Sequence, residues 1–288
     1  MTVHGAAAGA AILVMGFADA AVAQAPTFSS RVEAVRVDVL VTDRGQVVQG
    51  LQPGDFEVRD NGVVQDVDFV SLQQLPLNVI LALDVSASVS GERLMHLQGA
   101  GLALLERLTG SDRAALLTFS HVVGLREELT LDIDRVREAL GFVIPKGETA
   151  LVDATYAAMA LGAPEGGRNL LILFSDGVDT ASWLTPDSVL ASARRSDVVV
   201  YGVAVRGRTG SKFLRDLSEL TGGGVFEVES TRDLSETFLR ILDLFRQRYI
   251  LSFSPRGVSS SGWHRLEIRI KGRRVTVNAR AGYEVSRD

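Results

Sequence analysis

The chain has 288 residues, 46% of them apolar, and a formal net charge of −5. At roughly 100–200 residues per domain this allows one large domain, or a medium domain with a smaller companion, around an ordinary hydrophobic core. With no cysteine, disulfides, thiolate metal sites and cysteine nucleophiles are excluded, and the redox compartment is left open. Basic residues gather only toward the C-terminus, as Arg240, Arg246, Arg248, Arg265, Arg269, Lys271, Arg273, Arg274 and Arg280. They fall on an alternating strand pattern, so a solvated sheet face is expected there and no nucleic-acid partner.

In chain order, residues 6–18 are almost wholly small or apolar, and Ala21-Val22-Ala23 precedes Gln24. This has the form of a signal peptide over 1–23 ending in an A-x-A cleavage site, which places the mature chain outside the cytoplasm, secreted or in the periplasm and envelope. The charge pattern is atypical, since His4 stands where Lys or Arg is usual and Asp19 lies just before the cleavage motif. No later apolar run approaches the ~20 residues of a spanning helix.

From Val35 to Val41 every second residue is apolar, the period of a half-buried strand. Phe56 and Val58 begin a second strand, Asp60-Asn61-Gly62 supplies a hairpin turn, and Val63, Val67 and Phe69 continue the returning strand. The C-terminus repeats this all-β pattern, with a strand at 249–253, Leu266, Ile268 and Ile270 on another, a turn at Lys271-Gly272-Arg273, then Val275 and Val277. Neither piece has enough strands for a core of its own. The two segments, 32–75 and 249–285, are therefore expected to form one small discontinuous β-sandwich. Between them, residues 77–248 alternate short runs apolar on both faces (77–83, 114–119, 169–174, 198–205 and 224–228) with amphipathic stretches at 94–108, 133–142, 151–161, 186–195, 213–220 and 234–248. This is the signature of a doubly wound α/β domain with a mainly parallel sheet and helices on both faces. Ligands of such sheets bind outside the carboxyl ends of the strands.

Three short motifs fall at that edge. Asp84-Val-Ser86-Ala-Ser88 follows the first central strand, and alternate residues of an extended loop point the same way, so its three oxygens can converge. Gly147-Glu-Thr149-Ala precedes a helix. Phe174-Ser-Asp176-Gly177 puts a carboxylate at a strand end, where glycine lets the chain turn away. Two carboxylates and three hydroxyls, with no imidazole or thiol, suit Mg²⁺ (or Mn²⁺ or Ca²⁺) and suit Zn²⁺ or Cu²⁺ poorly. The D-x-S-x-S run, the distant Thr and the strand-end Asp-Gly together resemble the metal-ion-dependent adhesion site of von Willebrand factor type A domains, over about residues 77–248. The flanking segments, with Gly50-Leu-Gln-Pro-Gly-Asp-Phe56 and Arg280-Ala-Gly-Tyr283, are similar to secreted bacterial proteins related to that family. The resemblance implies that Ser86, Ser88 and Thr149 bind the cation directly in the ligand-occupied state, and Asp84 and Asp176 directly or through water. An ion held largely by hydroxyls keeps an open position that an Asp or Glu of a partner protein can fill.

A metal-dependent phosphohydrolase also places an Asp after its first strand, but needs a general acid two residues on, where this chain has Ser86. A non-enzymatic binding module is therefore the expectation. A structural envelope module with an unused site is the third reading, disfavoured because all five positions are intact. His4, His96, His121 and His264 are scattered and read as surface or packing residues. The run 257–262 lacks the G-x-S-x-G pattern and reads as a hairpin loop, Gly222-Gly-Gly224 as a helix-to-strand turn, and Asp179 as a solvated loop acid.

Overall fold

Residues 1–2, 34–72, 75–162, 167–176, 178–206 and 212–285 are described by a computed structural model. The expected signal segment lies almost entirely outside these residues, as does Gly177. The N-terminal strands are β1 (Val35–Asp43), β2 (Gln46–Val47), β3 (Phe56–Asp60), β4 (Val63–Gln65) and β5 (Val67–Ser71). The middle of the chain runs β6 (Leu77–Asp84), α1 (Glu92–Glu106), β7 (Arg113–Phe119), β8 (Val123–Thr130), α2 (Ile133–Gly141), α3 (Leu151–Ala160), β9 (Arg168–Ser175), α4 (Pro186–Ala193), β10 (Val199–Val205), α5 (Lys212–Thr221), β11 (Gly224–Val228) and α6 (Leu234–Arg246). The C-terminal strands are β12 (Tyr249–Phe253), β13 (Gly262–Ile270), β14 (Thr276–Asn278) and β15 (Gly282–Val285).

The central sheet has the order β11-β10-β9-β6-β7-β8 and is parallel except at β8. Every residue of β6 and β9 is buried, as strands covered on both faces must be. Side chains alternate across β6: Val79, Leu81 and Leu83 meet Leu97, Leu104, Val136, Phe238 and Ile241 of α1, α2 and α6. Ile80 and Ala82 meet Ala154, Val189 and Leu217 of α3, α4 and α5 on the other face. Each large aliphatic side chain so buried contributes about 1.5–3 kcal/mol. The α/β, doubly wound reading of the sequence thus holds. The edge strand β8 was not foreseen, because Arg126, Glu127 and Glu128 interrupt its apolar residues and only one side of it is covered. Gly223 shows why a triple-glycine turn leads from α5 to β11: a Cβ there would lie 1.9 Å from the carbonyl oxygen of Val200.

The terminal segments pair with each other. β1 lies antiparallel to β12 and to β14, and β12 also pairs with β5. A second sheet has the order β15-β13-β3-β4. Val37, Val39, Val41, Phe56, Val58, Leu251, Phe253 and Leu266, drawn from both sheets, share one core cluster.

Three local expectations need correction. The strand expected to return after Asn61-Gly62 is two strands: β4 pairs with β3, then the chain leaves that sheet and β5 pairs with β12. Buried Gln65 anchors the corner by donating to the carbonyl of Arg256 and accepting from its amide. The run 257–262 is not a hairpin loop either, since β12 and β13 belong to different sheets. Finally, the C-terminal basic residues do not form one solvated face. Arg265 and Arg269 are exposed beside Glu267, but Arg248 is fully buried and donates to the carbonyls of Gly222 and Asn278.

Residues 33–288 make up a single packed unit. Within it, buried Arg168 of β9 reaches Asp38 of β1 at 2.5 Å and donates to the carbonyl of Phe245. Buried polar contacts also tie the second small sheet, where Asp60 accepts from Tyr283 Oη at 2.6 Å and faces His264 Nδ1 at 2.9 Å.

Candidate metal centre

The chain leaves β6 toward α1 on one face of the sheet and leaves β9 toward α4 on the other. The carboxyl ends of these adjacent strands therefore diverge and open a crevice at the topological switch point. Asp84 is the last residue of β6, and Asp176 directly follows β9. The segment between α2 and α3 crosses the same edge and carries Thr149.

Hydrogen bonds close these loops into a ring. The amide of Lys146 donates to the carbonyl of Val85 and that of Ala87 to the carbonyl of Gly147, joining the first loop to the Thr149 segment. The amides of Thr180 and Ala181 donate to the carbonyl of Thr149, which brings in the loop after β9, and the amide of Ala150 donates to Ser120 after β7. Gly147 is required at its position: its φ is +75° and a Cβ would lie 2.0 Å from His121 Nδ1.

Inside the ring, Ser86 Oγ lies 3.1 Å from Ser88 Oγ, and Ser88 Oγ donates to Asp176 Oδ1 at 2.6 Å. Asp84 is fully buried; its Oδ1 accepts from the amide of Ser86 at 2.8 Å and its Oδ2 from Ser175 Oγ at 2.7 Å. Burial pushes the Asp84 carboxyl above the usual carboxylate range, and the negative charge of Asp176 adds to this, while the bonds from Ser86 and Ser175 pull it back. Of the five residues singled out in the sequence, four are thus linked by direct contacts or through adjacent residues of one loop. Thr149, buried, is positioned on the same ring through its backbone.

The donor set fits a small hard cation. Oxygens on adjacent corners of an octahedron with bonds of 2.0–2.1 Å are about 3 Å apart, and the two oxygen separations along Ser86, Ser88 and Asp176 are 3.1 and 2.6 Å. Two buried carboxylates near each other also lack the solvation that would otherwise offset their repulsion, so a cation is favoured between them.

Sequence reasoning missed two residues here. Ser175, quoted in a motif but given no role, orients Asp84. Arg93, in the first turn of α1, approaches Asp176 Oδ2 at 3.3 Å and donates to the carbonyl of Ser88 at 3.0 Å. Its only signal was a basic residue one helical turn past the D-x-S-x-S run. Asp179 is not the free loop acid expected: it accepts from the amide of Val152 and from Ser182 Oγ, capping α3 from another loop because Ala150 at the N-cap offers no side-chain oxygen.

The family model of the von Willebrand factor type A domain matches residues 78–240. The human inter-alpha-trypsin inhibitor heavy chain H4 is 24% identical over 189 residues, 59% of this chain, and the match spans only about a fifth (20%) of that relative. Among solved structures, a von Willebrand factor type A protein from Catenulispora acidiphila superposes with a TM-score of 0.54 at 14% identity, covering 81% of this chain and 74% of its own. Proximal thread matrix protein 1 from the mussel byssus, with a zinc-occupied MIDAS motif, superposes at 0.53 and 18% identity, covering 65% of this chain and 49% of its own. At these identities the structural likeness establishes the fold, and the sequence model, which spans more than half of the chain, establishes the family: the chain belongs to the von Willebrand factor type A domain family.

Proposed function

We propose that this chain is a metal-dependent protein-binding module in which Asp84, Ser86, Ser88, Thr149 and Asp176 hold one Mg²⁺ (or Mn²⁺ or Ca²⁺). A cation there supplies an open coordination position that takes an Asp or Glu carboxylate of a partner protein. The observation that carries this reading is the convergence of the Ser86, Ser88 and Asp176 oxygens, 3.1 and 2.6 Å apart, between two diverging strand ends. The chain's own residues do the rest. Ser175 and the Ser86 amide orient Asp84, and the Thr149 carbonyl ties the third loop to the first two.

A non-enzymatic role is favoured because Asp84 is buried with both oxygens already accepting hydrogen bonds, which leaves no exposed carboxylate to attack phosphorus. The A-x-A motif at 21–23 supports export to the periplasm, envelope or medium. We also read 32–75 and 249–285 as a discontinuous β domain carrying 77–248 as an insert, supported by the β1–β12 pairing and the shared core. The metal reading is tested by calorimetric titration of Mg²⁺, Mn²⁺ and Ca²⁺ into wild type and Asp84→Ala. Binding by wild type and none by the variant is expected, and no heat with any of the three cations overturns the reading.

A further inference from the structure

The loops that encircle the metal centre end in large apolar side chains that face water. Val122, Ile144, Val178 and Trp183 are 60, 74, 62 and 94% exposed. They come from the loop after β7, the segment between α2 and α3, and the loop after β9, the same three segments that the ring of backbone bonds joins. Isolated exposed apolar residues need no explanation, but four on loops that backbone bonds join around one polar site are candidates for an interaction surface.

Trp183 is held in place. Its amide donates to Asp153 Oδ2 at 3.0 Å, and the next amide, of Leu184, to Asp153 Oδ1 at 2.8 Å. Ser182 accepts from the amides of Val152 and Asp153 and donates to Asp179. The backbone under the indole is thus fixed to the start of α3, two residues after Thr149, by bonds that two acids and a serine supply. The bonds of Asp179 and Ser182 also cap α3, but the indole itself buries nothing at 94% exposure, so folding does not account for its place in water. A preordered indole loses little entropy when a partner covers it, which is how aromatic anchors dominate interfaces.

The charges of this face choose among occupants. Glu92 and Arg93 at the start of α1 and Lys146 and Glu148 on the segment before α3 cancel in sign, and Asp153 and Asp179 add acids beside Trp183, so the rim offers no basic belt for an anionic lipid surface. At its centre the exposed part of the Arg93 guanidinium, beside Ser88 and Asp176, presents a positive end. A carboxylate matches the centre and an apolar side chain matches the rim. Resting on the metal reading above, we infer that the partner is a polypeptide segment whose Asp or Glu is flanked, within one or two residues, by an aromatic or large aliphatic side chain that packs on Trp183.

The test uses fluorescein-labelled octapeptides with one central Asp, flanked either by Leu and Phe or by Ser, and the Asn counterpart of the first. Binding is measured by anisotropy to wild type, Trp183→Ser and Asp84→Ala, in Mg²⁺ and in chelator. The apolar-flanked Asp peptide should bind wild type at least about tenfold more tightly than the Ser-flanked one. Trp183→Ser should erase that preference while its melting temperature and its calorimetric Mg²⁺ affinity stay those of wild type. Equal binding of the two Asp peptides, no peptide binding at all, or a preference that survives Trp183→Ser overturns the inference. So does a Trp183-dependent dimer or a Trp183-dependent attachment to phosphatidylserine vesicles in place of peptide binding. The two readings fail separately: loss of all binding in chelator with no effect of the flanks leaves the metal standing and removes the rim, whereas a flank preference that persists in chelator does the reverse.

Discussion

Arg93 should oppose a cation bound at the proposed site. Its guanidinium, 41% exposed, lies 3.3 Å from a carboxylate oxygen of Asp176, which is 1% exposed. In the metal-free protein this pair neutralises one of the two buried acids, and a half-exposed ion pair of this kind is worth about 1 kcal/mol at most. A divalent charge held at Asp176, with the guanidinium about 5 Å away, meets a repulsion of about 1.7 kcal/mol even at the dielectric constant of water. Arg93 relieves that by swinging outward, which then costs the ion pair instead. Either way the opposition is about 1–2 kcal/mol, so Arg93→Gln should bind Mg²⁺ roughly tenfold more tightly. The same variant should lose about 1 kcal/mol of metal-free stability. Calorimetric titration of Mg²⁺ reads the first effect, and urea unfolding in chelator the second. An unchanged or weaker Mg²⁺ affinity would refute the reasoning, because the guanidinium would then be acting as structural support for the loop rather than as a competing charge.

Asp84→Ala should lose the stabilisation by Mg²⁺ expected of wild type, which at a hundredfold excess over Kd amounts to about 2.7 kcal/mol. Its stability in chelator should not fall in parallel, because burial already penalises the Asp84 charge; melting with and without Mg²⁺ separates the two. Gly147→Ala should destabilise by about 1 kcal/mol through its positive φ, with displacement of His121 adding to this, and equilibrium unfolding measures it. Tyr283→Phe should cost about 1–3 kcal/mol by leaving buried Asp60 without the 2.6 Å bond from Tyr283 Oη. Burial and the adjacent Asp60 raise the pKa of the Tyr283 hydroxyl above its ordinary value of 10.0. The unfolded chain ionises first, so this group's contribution is complete below about pH 10 and is lost as pH rises beyond it. The wild-type fall in stability above that pH should be shallower in Tyr283→Phe, and an equal fall in both would refute the assignment.

The α/β layering was legible in the sequence alone, and so was the gathering of Asp84, Ser86, Ser88 and Asp176 at one sheet edge, because both are local signals. A strand covered on both faces must be apolar throughout, as Leu77-Asn-Val-Ile-Leu-Ala-Leu83 nearly is. A loop that gathers oxygens must space them by two, as Asp84, Ser86 and Ser88 are. Which sheet each terminal strand joins emerges only in the packed chain. β4 and β5 are separated by one residue yet pair in different sheets, and nothing in Val63 to Phe69 distinguishes a strand that continues from one that turns a corner. The decisive residue, Gln65, bonds to Arg256, 191 positions away. The same holds at the candidate metal centre, where Arg93, Ser175 and Asp179 each have a partner on a distant segment, in Asp176, Asp84 and Val152. Periodicity reports what a segment buries, whereas the partner of a charge or of a strand edge is settled by which distant segment the packed core brings against it.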